Sequence, residues 1–207
     1  MANNKPFAVK GQGVTSPKGK ALWCKVAEVD TKFNAKGEYS TSLVCDPKDP
    51  AVQAFITKLE ELRDIALAET AETVGAAKAK GLKAKDVFQL ETDRDGEETG
   101  NILFKFKMNN VADRKAPDNK ILVVDAKRSP LPKVPLVGNG SIIRCVAFAN
   151  PYYMASTKEV GISLIWTKMQ IVELVSFGGD DEFEDEDGFE ASSAPFDTED
   201  DNDSLDF

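Results

Sequence analysis

The sequence contains no histidine, the side chain that most often serves as a general base or a metal ligand near neutral pH. It has three cysteines, Cys24, Cys45 and Cys145, which lie far apart in the chain and form no CxxC pair. A zinc site with four cysteine or histidine ligands is therefore excluded. The odd number and the apolar surroundings of these cysteines predict reduced core residues in a cytoplasmic protein. We also expect no cofactor.

Long apolar runs are also missing. No stretch reaches the roughly 18 apolar residues of a membrane span, and residues 1–10 contain no long apolar run, so we expect neither a span nor a signal peptide. Residues 13–21 are similar to a phosphate loop, but the glycines are one residue too far apart and Ala21 replaces the magnesium-binding hydroxyl. Gly188 fails as the centre of a calcium loop, because Phe183 would then occupy the first ligand position. No enzyme is predicted.

Basic residues are absent from the last 28 positions, 180–207, which hold 14 of the 35 acidic residues. All 26 basic residues therefore lie in residues 1–179, where 21 acidic residues leave a net charge of +5. The net charge of −9 for the whole chain hides a basic domain with an acidic arm. A cationic surface attracts polyanions, and a tethered anionic segment competes for the same surface.

Runs of like charge, such as 180–182 and 184–187, repel one another and predict a disordered acidic tail. Gly178 and Gly179 mark the boundary between a folded domain, 1–179, and this tail, 180–207. Such a tail is either a solubility device or a docking segment, and its aromatic residues favour docking because rings anchor a segment to a partner. These aromatic residues are Phe183, Phe189, Phe196 and the C-terminal Phe207.

Alternation of apolar and polar residues predicts strands over 6–14, 20–29, 39–45, 102–108, 121–125, 141–149 and 161–175. Asp49 followed by Pro50 is typical of a helix start, and apolar residues at 3–4 spacing over 52–66 predict an amphipathic helix. The Ala/Lys-rich stretch between Gly75 and Gly81 is either a helical continuation or a mobile segment. This order predicts a mainly β fold, an OB-fold-like β-barrel capped by the helix. A β-sandwich with an inserted helix is the alternative.

Rings and cations recur together on the polar sides of these strands. Trp23 and Lys25 lie opposite the core side of one strand, and Arg144 and Phe148 face outward from another. Single-stranded nucleic acid needs cations for its phosphates and flat rings for its bases, and stacking contributes about 1–3 kcal/mol per base. Because every base has a flat face, this pattern predicts binding of a single strand without sequence preference.

Lys105 and Lys107 lie on the side of their strand opposite Phe104 and Phe106, which we assign to the core. Trp166 shares a face with aliphatic residues and is also assigned to the core. Tyr152 and Tyr153 are predicted in a loop. For Trp23, Phe33 and Tyr39, core packing and base stacking both remain open. The candidate DNA-binding residues are Trp23, Lys25, Phe33, Tyr39, Lys105, Lys107, Arg144, Phe148, Tyr152 and Tyr153.

Five short stretches occur in a distinctive order: FKFK at 104–107, ILVVDAK at 121–127, VPLVGNGS at 134–141, PY at 151–152 and VELVSFGG at 172–179. An acidic tail that ends in Asp206 and Phe207 follows them. In this order they resemble the single-stranded DNA-binding protein family of T7-like bacteriophages. The resemblance covers residues 100–207 well and residues 1–100 loosely.

The resemblance implies an OB-fold that coats single-stranded DNA in phage replication, recombination and repair, and assists annealing, in the cytoplasm of the infected bacterial host. It implies a tail that occupies the DNA groove in the absence of DNA and supports a homodimer. Through Asp206 and Phe207 the tail would contact the phage DNA polymerase and helicase–primase. Lys105, Lys107 and Tyr152 match family positions, whereas relatives carry more lysines around Arg144.

Three other functions stay open at this point. A protein-interaction adaptor would bind an acidic partner with its domain and a basic one with its tail. An RNA-binding chaperone of similar fold would prefer poly-U to poly-dT. A metal-dependent nuclease, using acidic residues of the domain such as Asp125, would cleave DNA when magnesium is supplied.

Overall fold

The computed structural model describes residues 7, 9–32, 35, 37–75, 79–109 and 120–176. The strands and the helix are β1 (Gln12–Thr15), β2 (Gly19–Asp30), β3 (Glu38–Cys45), α1 (Pro50–Val74), β4 (Lys83–Ala84), β5 (Gln89–Thr92), β6 (Glu98–Asn109), β7 (Leu122–Val124), β8 (Ile142–Met154) and β9 (Glu159–Glu173). The predicted mainly β class with one amphipathic helix is confirmed. The predictions for Phe33, Asp206 and Phe207 lie outside the described residues.

Five strands pair in a closed ring. β2 pairs with β3, β3 with β6, β6 with β9 and β9 with β8, and β8 returns to β2 where Gly19 lies opposite Ile143. β1 pairs with β8, while β4, β5 and β7 extend the same sheet at other edges. Since all nine described strands belong to one sheet, the alternative of two packed sheets is wrong.

Alternate residues of each strand point into the ring and form the core. In β6 the buried Phe104 and Phe106 alternate with the exposed Lys105 and Lys107, as predicted. Trp166 of β9 is fully buried, also as predicted, and its indole N–H donates to the carbonyl of Lys168 at 3.0 Å. The polar side of each strand is therefore the outer face of the ring.

Helix α1 packs against the ring. Asp49 accepts a hydrogen bond from the Ala51 N–H at 2.8 Å, which confirms the predicted helix start. The rings of Phe55 and Phe104 meet edge-on with their centroids 5.0 Å apart. Ile65, predicted on the apolar face, is 47% exposed. At about 100° per residue it lies roughly 120° around the helix from the buried Leu59, away from the core.

The predicted loop at Tyr152 and Tyr153 is wrong, because β8 continues to Met154. Pro151 within this strand lacks an N–H group. It lies beyond Ala149, the last β8 residue in register with β1, so no bond of that ladder is lost.

All three cysteines are free thiols, and they are partly or fully buried. Burial raises the pKa of Cys24 to about 11 and that of Cys45 to about 12, and it also raises the pKa of Cys145. The thiols therefore stay protonated at neutral pH, as core residues would. Within the described residues, no helix combines the length and the apolar character that crossing a membrane requires.

Candidate nucleic-acid interface

One row of register partners crosses the outer face of all five ring strands. Lys25 of β2 lies opposite Ser40 of β3, and Ser40 lies opposite Lys107 of β6. Lys107 is in register with Ile165 of β9, which lies opposite Phe148 of β8. Register partners point to the same face of a sheet. The row therefore brings two exposed lysines to one side and an exposed aromatic ring to the other, with Phe148 48% exposed.

A cleft of about 830 Å³ lies along this face. Four predicted residues line it, namely Lys105, Lys107, Phe148 and Tyr152. Its second wall is the segment 85–89, which the sequence pattern left unassigned. The cleft thus brings Lys105 and Lys107 together with Phe148 and Tyr152, which lie about 40 positions away in the chain. The 85–89 wall adds a third lysine, Lys85, and the partly buried ring of Phe88. We use "the cleft" for this site throughout.

Tyr152 lies over the backbone of β9 at Gly161, its register partner. A Cβ atom at position 161 would come within 2.7 Å of the Tyr152 hydroxyl oxygen, so only glycine leaves room for this ring position. The ring is half-buried and lines the cleft. Gly161 is a functional position outside the predicted set, although a glycine inside a strand is a signal that another group approaches closely.

Lys105 and Lys107 differ in their partners. The Lys107 ammonium lies 2.7 Å from a carboxylate oxygen of Glu38, which also lines the cleft. The Lys107 side chain is 57% exposed, so this pair contributes little stability and a phosphate can replace the carboxylate. Lys105 forms no ion pair with any other described residue, and its charge is directly available.

Arg144 and Phe148 share the exposed face of β8, as predicted, but Arg144 does not line the cleft. Its register partner Gln170 donates to the carbonyl of Ala126 at 2.9 Å. This bond holds the loop that carries Lys127 on the other side of β9 from Arg144. The outer face therefore continues beyond the cleft as a cationic surface.

Trp23 is 64% exposed and also lies outside the cleft. It occupies a β-bulge between β2 and β3 and has the left-handed φ of 49°. Its backbone N–H donates to the side-chain oxygen of Asn139 at 2.8 Å. Strained backbone at an exposed ring is more common at functional positions than elsewhere. The bulge holds this ring free of the core.

Two further predicted rings are not part of the cleft. Tyr39 is only 7% exposed and packs in the core, which favours the core alternative for this residue. Tyr153 packs against the small cluster of Val9, Ala66 and Val160, on the opposite side of β8 from Tyr152. We therefore leave both residues out of the interface.

A second groove, of about 860 Å³, lies at the proline-rich loop. We call it the proline-rich groove. It is lined mainly by aliphatic and proline side chains, with Lys133 and Glu28 among its polar residues. Its walls include Val134, Pro135, Leu136 and Leu174.

Across the described ranges, no three acidic, cysteine or histidine side chains are grouped so that they could hold a metal ion.

Comparison with known proteins gives consistent results. The family model described as "Single-stranded DNA-binding protein, Bacteriophage T7" matches residues 18–175. The single-stranded DNA-binding protein of Escherichia phage T7 is 29% identical over 161 residues, 74% of this chain and 69% of that protein. Its counterpart from Enterobacteria phage T3 is 28% identical over 162 residues, 74% of this chain and 70% of that protein.

Solved structures agree with this result. The crystal structure of gp2.5, a single-stranded DNA-binding protein encoded by bacteriophage T7, superposes with a TM-score of 0.67 at 26% identity. The match covers 88% of this chain and all of that one. A single-stranded DNA-binding protein from bacteriophage Enc34, solved in complex with single-stranded DNA, gives a TM-score of 0.53 at 9% identity. It covers 81% of this chain and 89% of that one, and this likeness shows the fold alone.

Proposed function

Because the chain belongs to the single-stranded DNA-binding protein family of bacteriophage T7, we propose that the cleft is the place where it binds an unpaired DNA strand. The observation that carries the proposal is the convergence of Lys105, Lys107, Phe148 and Tyr152 in one cleft. Family membership makes the chain a phage DNA-binding protein rather than an enzyme.

In this proposal the bases stack on Phe148 and Tyr152, while the backbone follows the lysines. Phe148 and Lys107 lie on opposite sides of Ile165 in the same row, so a ring and a cation are separated by one strand. A nucleotide presents its base and its phosphate at comparable separation. Neither stacking nor phosphate contact reads the base identity, so binding is independent of sequence.

Binding also changes the partner of Lys107. A phosphate that approaches this lysine competes with the Glu38 carboxylate, which lies 2.7 Å away. In the free protein Glu38 therefore pairs with the Lys107 ammonium group, and this pairing disfavours the binding of weak anions there. Lys25 extends the same row toward β2, and Arg144 and Trp23 are secondary contacts for a longer strand on the outer face.

Photocrosslinking tests the location. A thymidine oligomer substituted with bromodeoxyuridine should crosslink to the peptide 145–158, which contains Phe148 and Tyr152. Crosslinks confined to residues 121–144, which include six of the thirteen residues that line the proline-rich groove, would contradict the assignment. Poly-U competing as well as poly-dT would favour an RNA-binding protein instead.

We also propose that the acidic tail, 180–207, competes with DNA for the cleft. The supporting observation is the charge distribution, since 14 acidic residues follow a domain of net charge +5. Released by DNA, the tail would recruit the phage DNA polymerase and helicase–primase through Asp206 and Phe207. Annealing, homodimer formation and action in the cytoplasm of the infected host belong to the same proposal.

Removal of residues 180–207 tests the competition. The truncated protein should bind a labelled thymidine oligomer more tightly than the full chain and show a weaker salt response, because no internal polyanion remains to be displaced. Equal affinities for the two proteins at low salt would contradict the competition and leave the cleft assignment intact.

A further inference from the structure

The outer face does not end at the cleft. Along β8 and β9, the register pair Tyr152 and Gly161 is followed by the pair Met154 and Glu159. Outward side chains recur every second residue of a strand, about 6.6 Å apart. Met154 therefore lies one step beyond Tyr152 on the same face, and it is 40% exposed.

The short strand β4 brings basic residues to this end. Lys83 is in parallel register with Glu159, and its N–H donates to the carbonyl of Lys158 at 2.9 Å. The N–H of Lys85 donates to the carbonyl of Val160 at 2.8 Å. The Lys85 ammonium lies 3.9 Å from a carboxylate oxygen of Glu159, so both side chains are on the same side of the sheet. Lys83 and Lys85, two residues apart, share the face of the cleft.

Lys158 supplies a third cation in the turn between β8 and β9. It has the left-handed φ of 56°, and its side chain lies over Gly81. A Cβ atom at position 81 would come within 2.9 Å of the Lys158 ammonium nitrogen. Among the described residues, neither Lys83 nor Lys158 forms an ion pair, and the acidic partner of Lys85 is Glu159.

We propose that Lys83 and Lys158, together with Lys85 at the edge of the cleft, form a second phosphate-binding site that continues the cleft past Tyr152. The inference rests on the proposed function. Three cations around one carboxylate leave this end positively charged, which suits a phosphodiester backbone. No exposed aromatic ring lies among these residues, so the site holds backbone and stacks no base. A strand long enough to pass Tyr152 gains contacts that a short one lacks.

Oligomer length separates this site from the cleft. The variant Lys83→Gln/Lys158→Gln should be titrated with labelled thymidine oligomers of about 4 and about 16 nucleotides, the limits of the usual range for such domains. For the longer oligomer, the log–log salt slope should become less steep by about 1.4, and the affinity at low salt should fall roughly tenfold. The shorter oligomer, which fills the cleft alone, should bind the variant as it binds the unaltered chain.

The control is Lys48→Gln/Lys58→Gln, which removes the same charge from the exposed residues before and along α1. If this control weakens binding equally, or if both oligomer lengths lose the same affinity, the site is wrong and the effect is one of overall charge. An unchanged salt slope for the longer oligomer also overturns it. Failure of the unaltered chain to bind either oligomer would instead refute the proposed function on which the inference rests.

An opposite change sharpens the test. Glu159→Gln removes the carboxylate that lies beside Lys85. The longer oligomer should then bind about twofold to fivefold more tightly, because a phosphate no longer has to displace the carboxylate and an exposed ion pair is worth at most about 1 kcal/mol. A loss of affinity for the longer oligomer would count against a phosphate at this place.

Discussion

The cleft and the proline-rich groove have nearly the same volume, about 830 Å³ and 860 Å³, but they offer different chemistry. The cleft combines lysines with the exposed ring of Phe148 and the half-buried ring of Tyr152. The groove offers aliphatic surface such as Leu136, and its one ring, Tyr39, is buried. Size alone therefore does not identify a nucleic-acid site, whereas accessible rings beside cations do.

The largest effect should come from removing the rings of Phe148 and Tyr152 from the cleft. Phe148→Ala/Tyr152→Ala deletes two stacking surfaces of about 1–3 kcal/mol each, so affinity for a thymidine oligomer should fall at least about 30-fold. Fluorescence anisotropy with a labelled oligomer measures this loss, and the thermal unfolding of the variant shows that its fold is intact.

The matched control for the ring variant lies in the proline-rich groove. Leu136→Ala/Leu174→Ala removes two exposed apolar side chains, 55% and 44% exposed, without touching the cleft. DNA affinity should stay within about twofold, the size of ordinary surface effects. A loss as large as that of the ring variant would reverse the assignment of the two sites.

Removing the cleft cations should have the next largest effect. In Lys105→Gln/Lys107→Gln, two phosphate contacts are lost, so the log–log salt slope should become less steep by about 1.4 and low-salt affinity should fall roughly tenfold. Affinity measured over a series of salt concentrations gives the slope. Lys133→Gln/Lys48→Gln, with one change in the groove and one near α1, should keep the original slope.

A smaller effect is expected from Gly161→Ala. The new methyl group would collide with the hydroxyl end of the Tyr152 ring. Because this end of the side chain can move, the fold is kept, but the ring is displaced and its stacking weakens. We expect an affinity loss of about threefold to tenfold, which is less than the loss expected from removing a full stacking surface. In the Tyr152→Ala background the same change should have no further effect, and an additive loss would show that Gly161 acts independently of the ring.

The smallest effect should be a gain. Glu38→Gln frees Lys107 from its partner at 2.7 Å, and an exposed pair of this kind is worth less than about 1 kcal/mol. DNA affinity should therefore rise about twofold to threefold in anisotropy titrations at low salt. Weaker binding would mean that Glu38 positions Lys107 for the phosphate instead of competing with it.

Local pattern predicted much of this molecule. The alternation of Phe104, Lys105, Phe106 and Lys107 correctly identified the two faces of β6. Asp49 correctly marked the start of the helix because a cap is a local interaction. The same alternation of apolar and polar residues correctly placed Arg144 and Phe148 on the outer face of β8.

Features that depend on pairing between distant strands were not predictable. Tyr39 and Tyr152 both sit on strands, yet one is in the core and the other in the cleft, because of where β6 and β9 pair beside them. The role of Gly161 appears only when β8 lies opposite it. The segment 85–89 comes after a stretch without strong periodicity, so no local pattern predicts where it lies. Its position is set by the flanking strands, because β4 pairs with β9 and β5 pairs with β6.

The most direct test is a crystal structure of residues 1–179 with a short oligothymidine. Our account predicts bases against Phe148 and Tyr152, with phosphates at Lys105 and Lys107. A strand seated in the proline-rich groove, against Leu136 and Leu174, with the cleft empty, would contradict it.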